Sequence, residues 1–366
     1  MLLKDFYNNN FYNILADITK IFYPEFSKDK FFKEVFTSEF AKYELKQRMR
    51  HTTLSLRNHL PKRTEESVKI INQICDEFKS SKRSLNGFEF MVFPDYIELF
   101  CIDDIELATK SIEKITQLIS CEFAVRPFLI KYRERMEVQM LKWSKHPHHG
   151  VRRLSSEGIR PRLPWAMSLP YYKKNPEFII SILENLINDE NDSVRKSVAN
   201  NLNDISKDNP EIFIKFLKKW KGNSELSDKI LKHASRTLFK KGDTEVLKIF
   251  GLKNSDKIIF SNFKLKSDKI KSGEKLFFEF SIENTGQKSE NLRLEYAIYF
   301  RIKSGKQNKK VFKISEKILK KNEKINVQKY HNFKPITTRK FYEGEHQISI
   351  IINGIEKKIK KFNLKL

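Results

Sequence analysis

The amino-acid sequence predicts a multidomain chain: an all-α HEAT-like repeat solenoid over residues 1–252, followed by an all-β immunoglobulin-like sandwich over residues 257–366. Three observations predict it. Up to about residue 250, apolar residues recur at helical spacing and strand-like alternation is rare. Within that region Val151-Arg-Arg-Leu-Ser-Ser-Glu-Gly-Ile159 aligns with Val194-Arg-Lys-Ser-Val-Ala-Asn-Asn-Leu202, 43 residues on, and with Ile230-Leu-Lys-His-Ala-Ser-Arg-Thr-Leu238, 36 residues further. After Lys257 the pattern changes to short alternating runs separated by turn residues.

In chain order, Phe32–Leu60, Glu65–Phe78, Ile105–Ser120 and Ala124–Trp143 read as amphipathic helices, and the prolines from Pro61 to Pro210 fall mostly at helix edges or in connections. Each repeat copy follows a short polar turn, HPHHG, NDENDS or GNSELS. Paired helices with a period near 40 are the mark of HEAT-type solenoids, whose second helices line one concave face. In the C-terminal part the runs Lys275–Ile282, Arg293–Ile302, Lys310–Ile314, Lys324–Val327 and His346–Ile352 read as strands. Turn signals such as Ser272-Gly273, Ser304-Gly305 and Asn353-Gly354 punctuate them, and about seven strands suit a sandwich. Lys357-Lys-Ile-Lys-Lys361 reads as a solvated strand edge.

The chain of 366 residues carries a formal charge of +25, which implies an anionic partner. Nucleic acid is favoured over membrane, because no basic amphipathic helix stands out. Residues 256–366 hold 27 Lys and Arg against 12 Asp and Glu, a net +15, so the smaller domain has the denser field and suits a clamp on a polyanion. Cys75, Cys101 and Cys121 lack CxxC spacing, which argues against a disulfide framework or a structural zinc site. With no secretory signal pattern and no apolar run of membrane length, the expected location is the reducing cytoplasm.

Only 17 of the 71 basic residues are Arg, yet seven of them lie between Arg126 and Arg162. Arginine grips phosphate with a planar fork where lysine offers a point charge, so Arg152, Arg153, Arg160 and Arg162 are the candidate phosphate ligands. Glu157 lies among them, at the repeat position that Asn200 occupies in the next copy. Two readings stay open for it: an internal salt bridge to a neighbouring Arg, or a carboxylate awaiting a cationic ligand. Trp143 and Trp165 offer core packing or a flat face for a base or cation. His148 and His149, in the HPHH turn, either contact phosphate or cap the following helix; with no acidic or Cys partner nearby they are not expected to bind metal.

Several strings are similar to the bacterial AlkC-type alkylpurine DNA glycosylases, HEAT-like relatives of AlkD. They are Glu44-Leu-Lys-Gln-Arg48, Cys121-Glu-Phe-Ala-Val-Arg-Pro-Phe128, Trp143–Arg153, Ser156-Glu-Gly-Ile-Arg-Pro-Arg-Leu-Pro-Trp165 and Ser197–Lys207. The resemblance spans roughly residues 1–250, and some members of that family carry an immunoglobulin-like C-terminal domain. It implies excision of cationic bases such as 3-methyladenine and 3-methylcytosine from duplex DNA, without metal or cofactor, by bending the duplex instead of flipping the base into a deep pocket. By motif position it assigns active-site carboxylates to Glu122 and Glu157, a base-contacting indole to Trp165, a backbone-contacting Arg to Arg160 and a further acid to Asp204. Lys207 joins the expected DNA-binding set, and a monomer with no obligate protein partner is expected. The rival readings are a non-catalytic HEAT scaffold that binds nucleic acid and a metal-dependent nuclease built on the histidines.

The charge distribution makes a prediction. Removing residues 256–366 should weaken duplex binding and flatten its dependence on salt, because fewer counterions are displaced. Titrations at several salt concentrations check this, and an unchanged slope would reduce the sandwich to a spectator.

Overall fold

The computed structural model describes residues 2–80, 85, 87–336 and 339–366. They form two compact units, Met1–Ala234 and Ser235–Leu366. The first unit contains α1 (Asn9–Phe22), α2 (Lys28–Val35), α3 (Leu45–His59), α4 (Thr64–Ser80), α5 (Val92–Phe100), α6 (Ile105–Ile115) and α7 (Val125–Lys131). It continues through α8 (Arg133–Trp143), α9 (His149–Glu157), α10 (Pro170–Lys174), α11 (Glu177–Leu186), α12 (Asp192–Asp208), α13 (Pro210–Trp220) and α14 (Glu225–Ala234).

Two helices read as continuous from sequence are broken. In the 32–60 stretch α2 ends at Val35, the rings of half-exposed Phe36 and buried Phe40 then meet buried Tyr12 edge-on, and α3 restarts at Leu45 behind a Glu44/Gln47 capping box. In the 124–143 stretch Tyr132 leaves helical geometry (φ −126°, ψ 46°). Its N–H closes α7 on Phe128 O and its carbonyl opens α8 by accepting from Met136 N–H.

The repeat is structural. Helices α8/α9, α11/α12 and α13/α14 pair, and α12 packs on both α9 and α14. His148 and Asn191, 43 residues apart, cap α9 and α12 in the same way, each side chain accepting a backbone N–H two residues on. Arg152 and Arg195, also equivalent, each donate to two carbonyls of the turn before their helix, at 2.7–3.0 Å. The buried residues Val151, Leu154, Val194, Val198, Leu202 and Leu231 sit along these helices, each aliphatic side chain contributing roughly 1.5–3 kcal/mol by leaving water.

The second unit opens with α15 (Arg236–Lys241) and α16 (Thr244–Ile249), followed by β1 (Ile258–Leu265), β2 (Lys269–Lys271), β3 (Lys275–Asn284) and β4 (Glu290–Arg301). It ends with β5 (Gln307–Leu319), β6 (Lys324–Asn332), β7 (Gly344–Ile352) and β8 (Ile355–Lys365). Sheet β1-β3-β6 faces sheet β2-β8-β7-β4-β5 across a core that includes Phe278, Phe280, Leu294, Ile348 and Ile350. All pairings are antiparallel except β2 with β8, which covers only Asn363–Lys365 of β8. The lysines at 357–361 therefore lie on a stretch of β8 paired on one side.

The compact-unit boundary falls at Ala234/Ser235, not near residue 252, because the last two helices pack onto the sandwich. Gly354 in the β7–β8 turn (φ +80°) lies against Gly242, and a Cβ there would stand 3.0 Å from Gly242 Cα and 2.6 Å from Leu247 Cδ1. Arg293 stacks over Phe239 at 4.5 Å while pairing with Glu295 and Glu316. A truncation that spares the helical unit should therefore end near Ala234.

His331 lies inside the sandwich, hydrogen-bonded through Nδ1 to the Tyr296 hydroxyl and ringed by Phe300, Phe312 and Phe333. Burial, reinforced by the Arg339 charge, pushes its pKa down to about 4. A depressed histidine favours the fold while neutral, so its contribution is complete above the ordinary value near 6.5 and is lost as pH falls toward 4. The effect is on the order of 3 kcal/mol. Thermal melts of the intact chain between pH 7 and 4 should show a smaller acid-induced drop in Tm for His331→Gln than for wild type; parallel drops would show that another group drives the acid sensitivity.

Candidate active site and nucleic-acid interface

Three acids from separate elements meet in one charge network. Glu122 lies in the turn between α6 and α7, Glu157 ends α9, and Asp204 lies within α12. Register between α9 and α12 is set by the Ser156–Ser197 hydroxyl contact (2.9 Å) and by Asn201 Nδ2 donating to Ser156 O (2.8 Å). Gly158, still helical in backbone (φ −64°, ψ −31°), lets the end of α9 approach α7 closely, since a Cβ there would stand 2.6 Å from Val125 Cγ1. Pro161 then prevents the helix from resuming.

The chain past Gly158 brings Arg160 back between the helices. Its Nη1 donates to Glu157 Oε1 at 2.6 Å and its Nε to Asp204 Oδ2 at 2.9 Å, while Lys207 Nζ reaches Asp204 Oδ1 at 2.9 Å. Arg153, one turn before Glu157, donates to Glu122 Oε2 (2.9 Å) and Ser120 Oγ (2.8 Å), with Nη2 3.9 Å from Glu157 Oε2. The order is Lys207, Asp204, Arg160, Glu157, Arg153, Glu122, with three acids alternating with three cations. Glu157 is thus not an unpaired carboxylate; its side chain is 7% exposed, against 2% for Asp204 and 19% for Glu122. Burial alone would lower the pKa of Arg160, but the Glu157 and Asp204 charges outweigh it and raise the value. Both contacts to Glu122 converge on Oε2, and the 3.9 Å approach to Glu157 Oε2 is beyond hydrogen-bond length. Carboxylate oxygens therefore remain able to accept a further partner.

Beneath this network lies fully buried Arg126. It donates to the carbonyls of Gly158 (2.8 Å), Arg160 (3.0 Å) and Met167 (2.8 Å), and burial followed by repulsion from Arg160 lowers its pKa to about 10, so it stays charged at neutral pH. Trp165 stands on the loop Arg126 holds, 73% exposed, with a left-handed backbone (φ +64°). Lys46 of α3 donates to Trp165 O at 2.8 Å and stands 5.2 Å over the Phe123 ring. Sequence reasoning assigned no role to Lys46, Arg126 or Ser120, although the first two stood in the strings that carried the family resemblance.

The remaining expected residues divide. Arg152 is committed to Asp189 through two contacts (2.6 and 3.1 Å) with a side chain 12% exposed, so it clamps neighbouring repeats instead of presenting a fork to phosphate. Arg160 is likewise nearly buried, spanning two acids. Arg162 pairs with Asp208 through both nitrogens and remains exposed, holding the Asp208 carboxyl below its usual range, and Lys207 and His149 are exposed as well. His148 caps α9, which settles one of its two readings. Trp143 is core, its indole N–H donating to Glu113 at 2.7 Å. Among the described residues no group of three or more His, Cys, Asp or Glu is placed to hold a metal ion, and no helix is long and apolar enough to cross a membrane. An open cleft of about 750 Å³ borders the segment after Trp165, between Leu129–Arg135 and Ser168–Tyr172, and none of the three acids lines it.

A helical repeat unit bearing an acid–cation network is thus followed in the chain by a strand-rich, immunoglobulin-like unit. Residues 102–238 match the DNA alkylation repair enzyme family, and residues 260–366 match the family described as the C-terminal Ig-like domain of the uncharacterised protein YhaZ. The chain is 42% identical over 352 residues to the uncharacterized protein YhaZ of Bacillus subtilis (strain 168), covering 96% of each. Among solved structures it is similar to the alkylpurine DNA glycosylase AlkC of Pseudomonas fluorescens bound to DNA containing an abasic site analog, with TM-score 0.94, 30% identity and 100% of both chains covered. The chain belongs to the AlkC-type DNA alkylation repair family, and its HEAT-like unit is followed by an Ig-like domain.

The buried pairs make a stability prediction that separates framework from surface. Arg152→Met should destabilise the fold by about 3–5 kcal/mol, since it strands Asp189, while leaving DNA affinity nearly intact. Arg162→Met, on an exposed pair, should change stability by less than about 1 kcal/mol and weaken binding. Denaturant titration and filter binding check both, and the opposite pattern would return Arg152 to the DNA surface.

Proposed function

We propose that this protein is a DNA glycosylase that hydrolyses the N-glycosidic bond of cationic alkylated bases, such as 3-methyladenine and 3-methylcytosine, in duplex DNA. It acts as a monomer, without a resident metal or cofactor, and reaches the lesion by bending the duplex. The observation that carries this reading is the convergence of Glu122, Glu157 and Asp204 in one charge-balanced network, in a chain that matches a DNA-bound alkylpurine glycosylase over its full length.

The chemistry follows from the lesion. A cationic base is already a good leaving group, so no general acid is needed at its nitrogen. As the C1′–N bond breaks, its electron pair passes to the base, which departs neutral, and the sugar gains oxocarbenium character. An oriented carboxylate stabilises that charge and accepts a proton from the water that adds to C1′. Preorganised electrostatic help of this kind contributes about 3–4 kcal/mol per well-placed group. Glu122 and Glu157, which keep oxygens available, are the catalytic residues in this reading; Asp204 supports them through Arg160. The Trp165 face would add roughly 0.5–2 kcal/mol by cation–π attraction. Arg153, Arg162, Lys207 and His149, partly or fully exposed, contact the backbone phosphates, while Arg152, Arg160 and His148 hold the framework.

A second reading is favoured by one observation: every acid in the network already has a cation, as a non-catalytic nucleic-acid-binding HEAT scaffold would need. Incubation with methylated duplex separates the two. The glycosylase should release free methylated base, leave alkali-labile abasic sites and be indifferent to EDTA. Glu157→Gln and Glu122→Gln should each lower release by about 100-fold or more while largely sparing affinity. Normal release by both variants would remove these acids from the chemistry, and no release by wild-type protein that binds DNA would favour the scaffold.

A further inference from the structure

Trp165 combines three properties seldom found together: a large ring, high exposure and a left-handed backbone. Bulky L residues rarely adopt φ +64°, and an indole 73% exposed gains little packing energy to offset it. Such geometry persists only where surrounding contacts over-determine it, and these contacts can be named. Lys46 holds the Trp165 carbonyl from α3. Arg126 holds Gly158 O and Arg160 O before the indole and Met167 O after it. Pro161 and Pro164 stiffen the span between these anchors. Arg126 Nη2 is buried with no acceptor, so the anchor is maintained although one of its donors goes unmet. Lys46 also lies over Phe123, adjacent to Glu122, which couples the indole-bearing loop to the segment carrying one of the acids.

We propose that Lys46 and Arg126 are positioning residues that fix the backbone from which the Trp165 indole projects, and that this presentation, more than the indole alone, selects cationic over neutral bases in DNA. A mobile indole would have to be ordered at each encounter, whereas a fixed one meets the lesion with that entropy already lost. The selectivity clause rests on the glycosylase reading above; the tether does not.

The test uses the full-length chain labelled with 5-fluorotryptophan. Its three tryptophans, Trp143, Trp165 and Trp220, give three fluorine resonances, and the Trp165 line is identified by its loss in Trp165→Phe. Lys46 is exposed, so Lys46→Met should fold. It should narrow the Trp165 line alone and raise KM for base release from a 3-methyladenine duplex about tenfold, with kcat within about twofold. Lys46→Arg keeps a donor for the carbonyl and should restore both readouts. An unchanged Trp165 line in Lys46→Met overturns the tether; a narrowed line with unchanged KM overturns its role in selection. If wild type releases no base at all, the glycosylase reading and the selectivity clause fail together, and the line width alone decides whether Lys46 holds the indole.

Discussion

The Arg160 guanidinium between Glu157 and Asp204 is the interaction on which the rest of the helical unit's site depends. Charges removed from water are stable only when each is matched, because the desolvation penalty rivals the attraction gained. Here the matching is carried by alternation: Lys207, Asp204, Arg160, Glu157, Arg153 and Glu122 form one line in which every interior member touches two opposite charges. That line joins α9 to α12 and reaches the turn before α7, so it also sets the register of consecutive repeats. The early stop of α9 at Gly158 and Pro161 is the local condition for it, since a helix continuing as α12 does would carry Arg160 away from the gap.

Balanced charge has a functional consequence. A bare cluster of three acids would repel a polyanion such as DNA, whereas acids interleaved with cations add little net field at a distance while offering oriented oxygens at close range. Most of the net charge lies elsewhere, +15 of the +25 being in residues 256–366. Net charge and the acid–cation network are thereby concentrated in different parts of the chain. The same interleaving explains why several arginines of the cluster serve as framework: Arg126, Arg152 and Arg160 each satisfy carbonyls or carboxylates, and Arg153 and Arg162 remain nearer the surface.

The second unit shows that secondary-structure type and packing partner need not change at the same residue. Residues 236–249 are helical in spacing and in fact, yet the contacts of Gly242, Phe239 and Leu247 lie with the β7–β8 turn and with β4. Helical periodicity states which face of a helix is apolar but not which partner covers that face, and here the compact unit that holds the sandwich begins at Ser235.

Much was nevertheless determined by sequence alone. The switch from helical to alternating periodicity, the 43-residue repeat with its polar turns, and the Glu-Gly-x-Arg-Pro string around Glu157 are local signals, because backbone geometry and turn chemistry act over a few residues; the matching caps of His148 and Asn191 came from the structure. Only the tertiary structure decided which arginines pair with which acids, that Trp143 is core while Trp165 is displayed, and that Lys46 and Arg126, 119 and 41 residues from their partners in the Trp165 loop, hold that loop in place. Those outcomes depend on burial and on distances between segments far apart in the chain, and a side chain's charge or shape does not reveal which neighbour will neutralise or cover it.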